Sequence, residues 1–184
     1  MNRITSCSDL EKELHRRDFL KTLALGGGAS LLSLTMGSRS ALGSGKADGK
    51  ADVLLLSCID YRLIDYTAQY MVGRGLRGNY DYVILAGASL GAITNKYPSW
   101  NKTFWDHVGL AIKLHSIRKV MVMDHRDCGA YKLILGENCC SPRDIETNVH
   151  RTQMQSLGKA IRRRHPGLEV ELLLMDVNGV VEKI

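Results

Sequence analysis

Short apolar runs, each the length of one buried strand, alternate along this chain with segments that have helical periodicity. The apolar runs are residues 52–57, 82–85, 119–124 and 170–176. The helical segments are residues 63–72, 103–116 and 145–164. Strands that alternate with helices need crossover connections, which give parallel strands with helices on both faces. We therefore predict an α/β fold with a small, mainly parallel sheet of about four strands flanked by helices.

The C-terminal part of the chain contains two clear stop signals. His165-Pro166-Gly167 ends the last predicted helix, because proline cannot continue a helix and glycine favours its end. Asn178-Gly179 tolerates the positive φ of a tight turn. We expect this turn to lead from the last long strand into a short closing strand.

The beginning of the chain has the features of an export signal and not of a folded domain. Arg16-Arg17 and the residues around it resemble the twin-arginine export motif. The apolar segment that follows, residues 22–36, is shorter than the about 20 residues that span a bilayer, and a short anchoring helix is the alternative. The predicted organisation is a signal peptide at 1–41, a flexible linker at 42–50 and one domain at 51–184. This predicts a periplasmic protein that meets the membrane only during export.

The charge of the chain gives no indication of a nucleic-acid partner. It has 25 Lys and Arg residues against 19 Asp and Glu, for a formal net charge of +6. Its basic cluster at residues 162–164 has no interleaved aromatic residues and lies at the end of a predicted helix, where cations favour the helix dipole. We therefore expect a solvated helix end there.

Three glycines have the G-x-G-x-x-G spacing of a dinucleotide-binding turn. These are Gly73, Gly75 and Gly78. They follow a predicted helix and precede a predicted strand, whereas the phosphate-binding turn needs the opposite order. We therefore expect no nucleotide site at this position.

Two short patterns of potential metal ligands begin where predicted strands end. Cys58-Ile59-Asp60-Tyr61-Arg62 follows the first strand, and His125-Arg126-Asp127-Cys128 follows the third. The carboxyl ends of parallel strands lie at one edge of a sheet, so the two patterns can meet. Two thiolates and one imidazole suit Zn²⁺ in tetrahedral geometry, and three protein ligands leave a fourth position for water, as in catalytic zinc sites.

These patterns resemble the C-x-D-x-R and H-x-x-C motifs of the β-class carbonic anhydrases, and the likeness covers residues 51–184. The resemblance implies one Zn²⁺ held by Cys58, His125 and Cys128. It implies reversible hydration of CO₂ to bicarbonate by a zinc-bound hydroxide, in a homodimer or higher homo-oligomer. Asp60 and Arg62 are the implied catalytic pair: Asp60 orients the hydroxide, and Arg62 keeps Asp60 ionised through a bidentate contact.

One segment departs from that family and leaves other functions open. Many members have Arg-Asn-Ala-Gly after the second strand, where this chain has Leu85-Ala86-Gly87-Ala88-Ser89. The substrate pocket can therefore differ from that of the family. The first alternative is hydrolysis of carbonyl sulfide or carbon disulfide at the same site, and the second is a non-catalytic zinc protein whose site is closed by Asp60.

The remaining cysteines and histidines carry weaker signals. Cys139 and Cys140 are adjacent, and adjacent cysteines rarely bridge each other without strain, so we expect thiols that take no part in zinc binding. His107, His115 and His150 are candidates for carrying the proton outward, although no spacing favours any of them.

The export hypothesis predicts that replacing both Arg16 and Arg17 with Lys leaves the precursor in the cytoplasm, folded and containing zinc. Cell fractionation with an antibody to the protein, together with metal analysis of the trapped precursor, checks this. Unchanged delivery of the double variant to the periplasm would contradict the twin-arginine interpretation.

Overall fold

The structure is a computed structural model that describes residues 49–184. The predicted signal peptide, residues 1–41, lies outside the described residues, as does the predicted linker apart from Gly49 and Lys50. Within residues 49–184, no helix is both long enough and apolar enough to cross a membrane.

A five-stranded sheet with the order β2-β1-β3-β4-β5 forms the centre of the fold. Its strands are β1 (Val53–Ser57), β2 (Tyr80–Ile84), β3 (Lys119–His125), β4 (Glu169–Met175) and β5 (Val181–Lys183). The first four strands pair in parallel, and β5 pairs antiparallel with β4. The predicted α/β fold with a small, mainly parallel sheet is confirmed, and the closing strand is its fifth.

Five α-helices among the described residues connect and cover these strands. They are α1 (Ile64–Gly73), α2 (Ser89–Ile93), α3 (Pro98–His115), α4 (Gly129–Leu135) and α5 (Arg143–Arg164). Two short 3₁₀ turns, Tyr61–Leu63 and Glu137–Cys140, precede α1 and α5.

Alternate residues of each central strand pack into separate cores on the two faces of the sheet. Leu54 and Leu56 of β1 belong to the core that includes Phe104 of α3 and Leu157 of α5. Leu55 belongs to the opposite core, with Met71 of α1. Because β1 and β3 are buried on both faces, their sequences are almost continuously apolar.

The structure contains two short helices near the strand ends that the sequence analysis does not predict. α2 has five residues and α4 has seven, so neither is long enough to show a repeated apolar pattern. The start of α3 also differs, because the helix begins at Pro98 and not at the predicted residue 103. Proline suits the first turn of a helix, where its missing N–H would have had no partner.

The predicted turn after β4 is present and depends on glycine. The Asp176 N–H donates to the carbonyl oxygen of Val180 at 2.7 Å and closes the turn. Gly179 has a φ of +86°, and a Cβ at this position would lie 2.4 Å from the ring of Tyr66. The backbone conformation and the neighbouring ring therefore both require glycine here.

The close packing of α2 gives a stability prediction. A Cβ at Gly91 would lie 2.4 Å from the carbonyl oxygen of Ala86, whereas a Cβ at Gly109 of α3 would meet no atom within 4 Å. Gly91→Ala should therefore lower the free energy of unfolding by about 1–3 kcal/mol. Gly109→Ala, the matched control, should raise it by about 0.5–1 kcal/mol, because alanine favours a helix.

Urea unfolding of both variants and the wild type, in the same zinc-containing buffer, measures these differences. Equal stability of the Gly91→Ala variant and the wild type would contradict the described packing of α2.

Candidate metal centre

The parallel pairing of β1 with β3 brings the two predicted patterns together. Cys58 follows directly after β1, and His125 is the last residue of β3. Cys128 comes three residues later and immediately precedes α4. All three residues therefore lie at the carboxyl edge of the sheet, where ligands of open α/β sheets are expected.

The side chains of these residues have distances that suit a tetrahedral metal ion. One ligand atom from each of Cys58, His125 and Cys128 lies within 4.8 Å of the others. The two sulfur atoms are 3.9 Å apart. A tetrahedral site with Zn–S bonds of about 2.3 Å places its sulfurs about 3.8 Å apart. The three donors therefore fit Zn²⁺.

The imidazole of His125 is oriented for metal binding. Its Nδ1–H donates to the backbone carbonyl oxygen of Arg126 at 2.8 Å, which fixes the tautomer. Its Nε2 is buried and has no hydrogen-bond partner. A buried polar atom without a partner is costly, and a metal ion at this point would satisfy it. This lone pair, together with the two nearby sulfurs, makes the cluster suited to a metal ion.

The two thiols have opposite tendencies to ionise. The hydrogen bond from Cys128 lowers the pKa of Cys58 to about 4, helped by His125 and by the Gly87 N–H, which donates to Cys58 Sγ at 3.3 Å. The same sulfur–sulfur contact, together with burial, raises the pKa of Cys128. The pair therefore shares one proton, which metal binding would release.

Asp60 lies beside the three donors and is held by Arg62. Its Oδ2 accepts from Arg62 Nη2 at 2.7 Å, and its Oδ1 accepts from Arg62 Nε at 3.0 Å. Asp60 Oδ2 is 3.8 Å from His125 Nε2. The structure thus brings both predicted catalytic residues to the metal donors, with each carboxylate oxygen of Asp60 bound by the guanidinium.

The contact with Arg62 controls the charge of Asp60. The side-chain hydrogen bond from Arg62 lowers the pKa of Asp60 to about 2, so this side chain is a carboxylate throughout the neutral range. A lowered pKa stabilises the folded chain above the ordinary pKa of aspartate. That contribution is lost as the pH falls towards 2.

Asp127 lies in the loop between His125 and Cys128 and links this loop to Arg62 and to α5. Its carboxylate accepts from Arg62 Nη1 at 2.9 Å, and its backbone N–H donates to Glu146 Oε1 at 2.6 Å. The other oxygen of Glu146 accepts from Arg126 at 3.2 Å. Asp127 has a φ of 54°, a conformation that these contacts help to hold. The sequence pattern contains Asp127 but gives no indication of Glu146, which comes from a separate helix.

Asp124 is a second residue whose role the sequence analysis missed. It is buried next to His125, and its carboxylate binds three other elements. It accepts from the Ser89 N–H at 2.9 Å and hydroxyl at 2.6 Å, from Tyr131 at 2.5 Å and from His150 Nδ1 at 2.9 Å. These contacts fix α2, α4 and α5 around the end of β3. The sequence contained one indication of this role, because an acidic residue at the end of an apolar strand needs buried hydrogen-bond partners.

The three candidate proton carriers are not among the metal donors, and each has its own surroundings. His107 and His115 line a groove between α3 and β2, where His115 Nδ1 contacts Asp81 at 2.8 Å. His150 is close to the end of β3 but has no exposed surface. It therefore cannot pass a proton directly to solvent. None of the three belongs to the group of metal donors found among residues 49–184.

Comparison with known sequences identifies relatives of the whole described domain. A family model described as "Putative carbonic anhydrase" matches residues 49–184. An uncharacterized protein of Rickettsia conorii is 40% identical over 139 residues, which cover 76% of this chain and 75% of that protein. A second uncharacterized protein, from Rickettsia bellii, is also 40% identical over 139 residues and is covered to 85% of its length.

Comparison with solved structures identifies similar folds at low sequence identity. A tetrameric β-carbonic anhydrase from the ascomycete Sordaria macrospora has a TM-score of 0.50 and 13% identity, covering 74% of this chain and 82% of its own. A carbonic anhydrase from Glaciozyma antarctica has a TM-score of 0.50 and 15% identity, and the match covers 95% of this chain and 97% of that protein. At these identities the likeness concerns the fold alone.

The donor geometry predicts about one zinc ion per chain in protein purified without residues 1–41. Cys58→Ser and Cys128→Ser should each lose the zinc and lower the melting temperature, since metal binding is coupled to folding. The matched controls Cys139→Ser and Cys140→Ser should keep it. Mass spectrometry of the metal content provides the measurement. Full zinc retention in the first two variants, or loss in the controls alone, would contradict the ligand assignment.

Proposed function

The chain belongs to this carbonic anhydrase family, and from that premise we propose that it catalyses the reversible hydration of CO₂ to bicarbonate at a zinc centre. The observation that carries the proposal is the position of Asp60. Arg62 binds both of its carboxylate oxygens, so that Asp60 lies beside the three donors and not among them. Three protein donors leave a fourth coordination position open, which is typical of catalytic zinc.

The donor set determines the charge of the proposed site. Cys58 and Cys128 as thiolates would cancel the charge of Zn²⁺, and His125 is the third, neutral donor. Zn²⁺ held there would lower the pKa of a coordinated water and supply a hydroxide nucleophile near neutral or mildly alkaline pH.

Asp60 and Arg62 have separate tasks in the proposed reaction. The Asp60 carboxylate can only accept hydrogen bonds, so it can orient a hydroxyl group at the open position and direct its lone pair towards CO₂. Arg62 keeps that carboxylate ionised and fixed. Asp127 in turn holds Arg62, with 2.9 Å between its carboxylate and Arg62 Nη1. Substrate orientation therefore depends on a chain of ion pairs that leads away from the metal donors.

The surface next to these residues is an open depression of about 550 Å³. Ile59 and Tyr61 give it apolar area. Its two cations are paired with carboxylates of the same surface: Arg62 with Asp60 and Asp127, and Lys132 with Asp127. An apolar surface suits CO₂, so this surface can receive the substrate.

We also propose that the protein forms a homodimer or a higher homo-oligomer. Ile59, Tyr61 and Ile64 are largely exposed around the site. Exposed apolar side chains favour a surface that another subunit covers, and a subunit placed there would enclose the depression beside Asp60. The structurally similar enzyme from Sordaria macrospora is tetrameric.

The proposed reaction takes place in the periplasm, if the signal peptide at residues 1–41 directs export by the twin-arginine route. That route carries folded proteins, so the zinc would be bound before Cys58 and Cys128 reach an oxidising compartment. This order of events would protect the two metal-binding thiols from oxidation after export.

Two other functions remain as outcomes of the functional test. A non-catalytic protein would require Asp60 to close the metal site, and the bidentate contact with Arg62 argues against this. A carbonyl sulfide or carbon disulfide hydrolase would use the same metal donors. Only an assay with those substrates distinguishes it from a carbonic anhydrase.

The direct test is stopped-flow CO₂ hydration by zinc-loaded protein that lacks residues 1–41, followed with a pH indicator. We expect turnover well above the buffer rate, and no turnover with Cys128→Ser. Sulfide release from carbonyl sulfide is measured in parallel. Sulfide release without CO₂ hydration would replace the proposed substrate, and inactivity on both substrates with full zinc content would overturn the enzymatic proposal.

The Asp60 assignment gives a sharper prediction. Asp60→Asn should keep the zinc and the fold but lower the turnover number by about 10- to 100-fold, because the amide keeps the shape and loses the charge. Asp106→Asn is the matched control: Asp106 forms an exposed ion pair with Lys102 on α3. A wild-type turnover number for Asp60→Asn would remove Asp60 from the mechanism.

A further inference from the structure

Two cysteines outside the metal centre form a second, chemically different pair. Cys139 and Cys140 end the 3₁₀ turn Glu137–Cys140, between α4 and α5. Cys139 is buried and Cys140 is partly exposed. Neither belongs to the group of metal donors found among residues 49–184. The proposed hydration reaction makes no use of them.

The two sulfur atoms of this pair face each other. Their separation is 2.7 Å, compared with 3.9 Å between the sulfurs of Cys58 and Cys128. Non-bonded carbon atoms pack at about 3.5–4.0 Å, and sulfur is larger than carbon. The two sulfurs are therefore closer than an ordinary non-bonded contact. A disulfide bond has a length of about 2.05 Å, so a shift of roughly 0.6 Å would bring the sulfurs to bonding distance.

Burial keeps Cys140 in its neutral thiol form at neutral pH. Burial, followed by the hydrogen bond with Cys139, raises the pKa of Cys140 to about 12. The thiolate is the form of cysteine that attacks a disulfide. Exchange at this pair should therefore be slow at neutral pH and faster at alkaline pH.

An open groove borders Cys139, which lies in its wall. The groove has a volume of about 540 Å³. Its apolar lining comes from Leu135, Ile145 and Val149, and Asn138 and Asn148 provide amide groups. A small organic disulfide in this groove would lie next to the pair, and Cys140, which is partly exposed, is the thiol that it can reach more readily.

We propose that Cys139 and Cys140 form a redox-active dithiol, separate from the metal centre, that exchanges with small disulfides to give a reversible bond between the two residues. Strain is expected in a ring closed by adjacent cysteines. Strained disulfides are reduced easily, so this strain favours a reversible bond over a structural one.

The exchange proceeds in two balanced steps. Cys140, the more exposed thiol, loses its proton to solvent, and its sulfur attacks one sulfur of the external disulfide. The external S–S bond breaks, and one thiol leaves after taking up a proton. Cys139 then loses its proton and attacks the Cys140 sulfur, which expels the second external thiol. The two protein thiols lose two electrons, and the external disulfide gains them.

The test uses the full-length, zinc-loaded chain incubated with glutathione disulfide and then quenched with N-ethylmaleimide. Trypsin cleaves after Lys132 and Arg143, so residues 133–143 form one peptide that contains these two cysteines and no others. Mass spectrometry should find this peptide lighter by two hydrogen atoms and free of N-ethylmaleimide. Reduced dithiothreitol should reverse the change, while the zinc content stays the same.

The single variants identify the order of the two steps. In Cys139→Ser, the surviving Cys140 should keep a glutathione adduct, because nothing displaces it. In Cys140→Ser, the buried Cys139 should react more slowly. Three results in the wild type would overturn the proposal: a peptide that carries two N-ethylmaleimide groups, a glutathione adduct that persists, or a bond from this peptide to Cys58 or Cys128. These readouts do not depend on CO₂ hydration.

Discussion

The parallel pairing of β1 with β3 is the contact on which the candidate site depends. It places Cys58 and His125 at neighbouring strand ends, and the short loop after β3 brings Cys128 back to them. Bringing two thiols and an imidazole together in this position is unfavourable without a metal, because the buried Nε2 of His125 has no hydrogen-bond partner there. The surrounding hydrogen bonds offset this free-energy cost. Asp124 holds three helices against the end of β3, and Glu146 holds the loop that follows.

The central part of the fold could be predicted because its strands are buried on both faces. β1 and β3 are nearly continuous apolar runs, and each ends at a potential metal ligand. The spacing of these ligands, together with parallel topology, was sufficient to predict that they meet. Asp60 and Arg62 lie next to these residues because they follow Cys58 closely in the sequence, and their catalytic role stays a prediction.

The missed features depend on tertiary contacts or on very short elements. Glu146 and His150 lie on α5, far along the chain from the loop and strand that they bind, and their sequence neighbours give no sign of these contacts. α2 and α4 are too short to show periodicity. The distance between the sulfurs of Cys139 and Cys140 likewise depends on side-chain rotation, which adjacency in the sequence does not determine.

The ligands of the proposed zinc ion give the most direct test, and zinc K-edge X-ray absorption of the metal-loaded wild type measures them. The predicted result is four-coordinate zinc with two sulfurs at about 2.3 Å and two nitrogen or oxygen atoms at about 2.0–2.1 Å. The second light atom would come from solvent at the open position. Four sulfur ligands would place Cys139 and Cys140 on the metal, and a shell without sulfur would exclude Cys58 and Cys128. Either result would contradict the account.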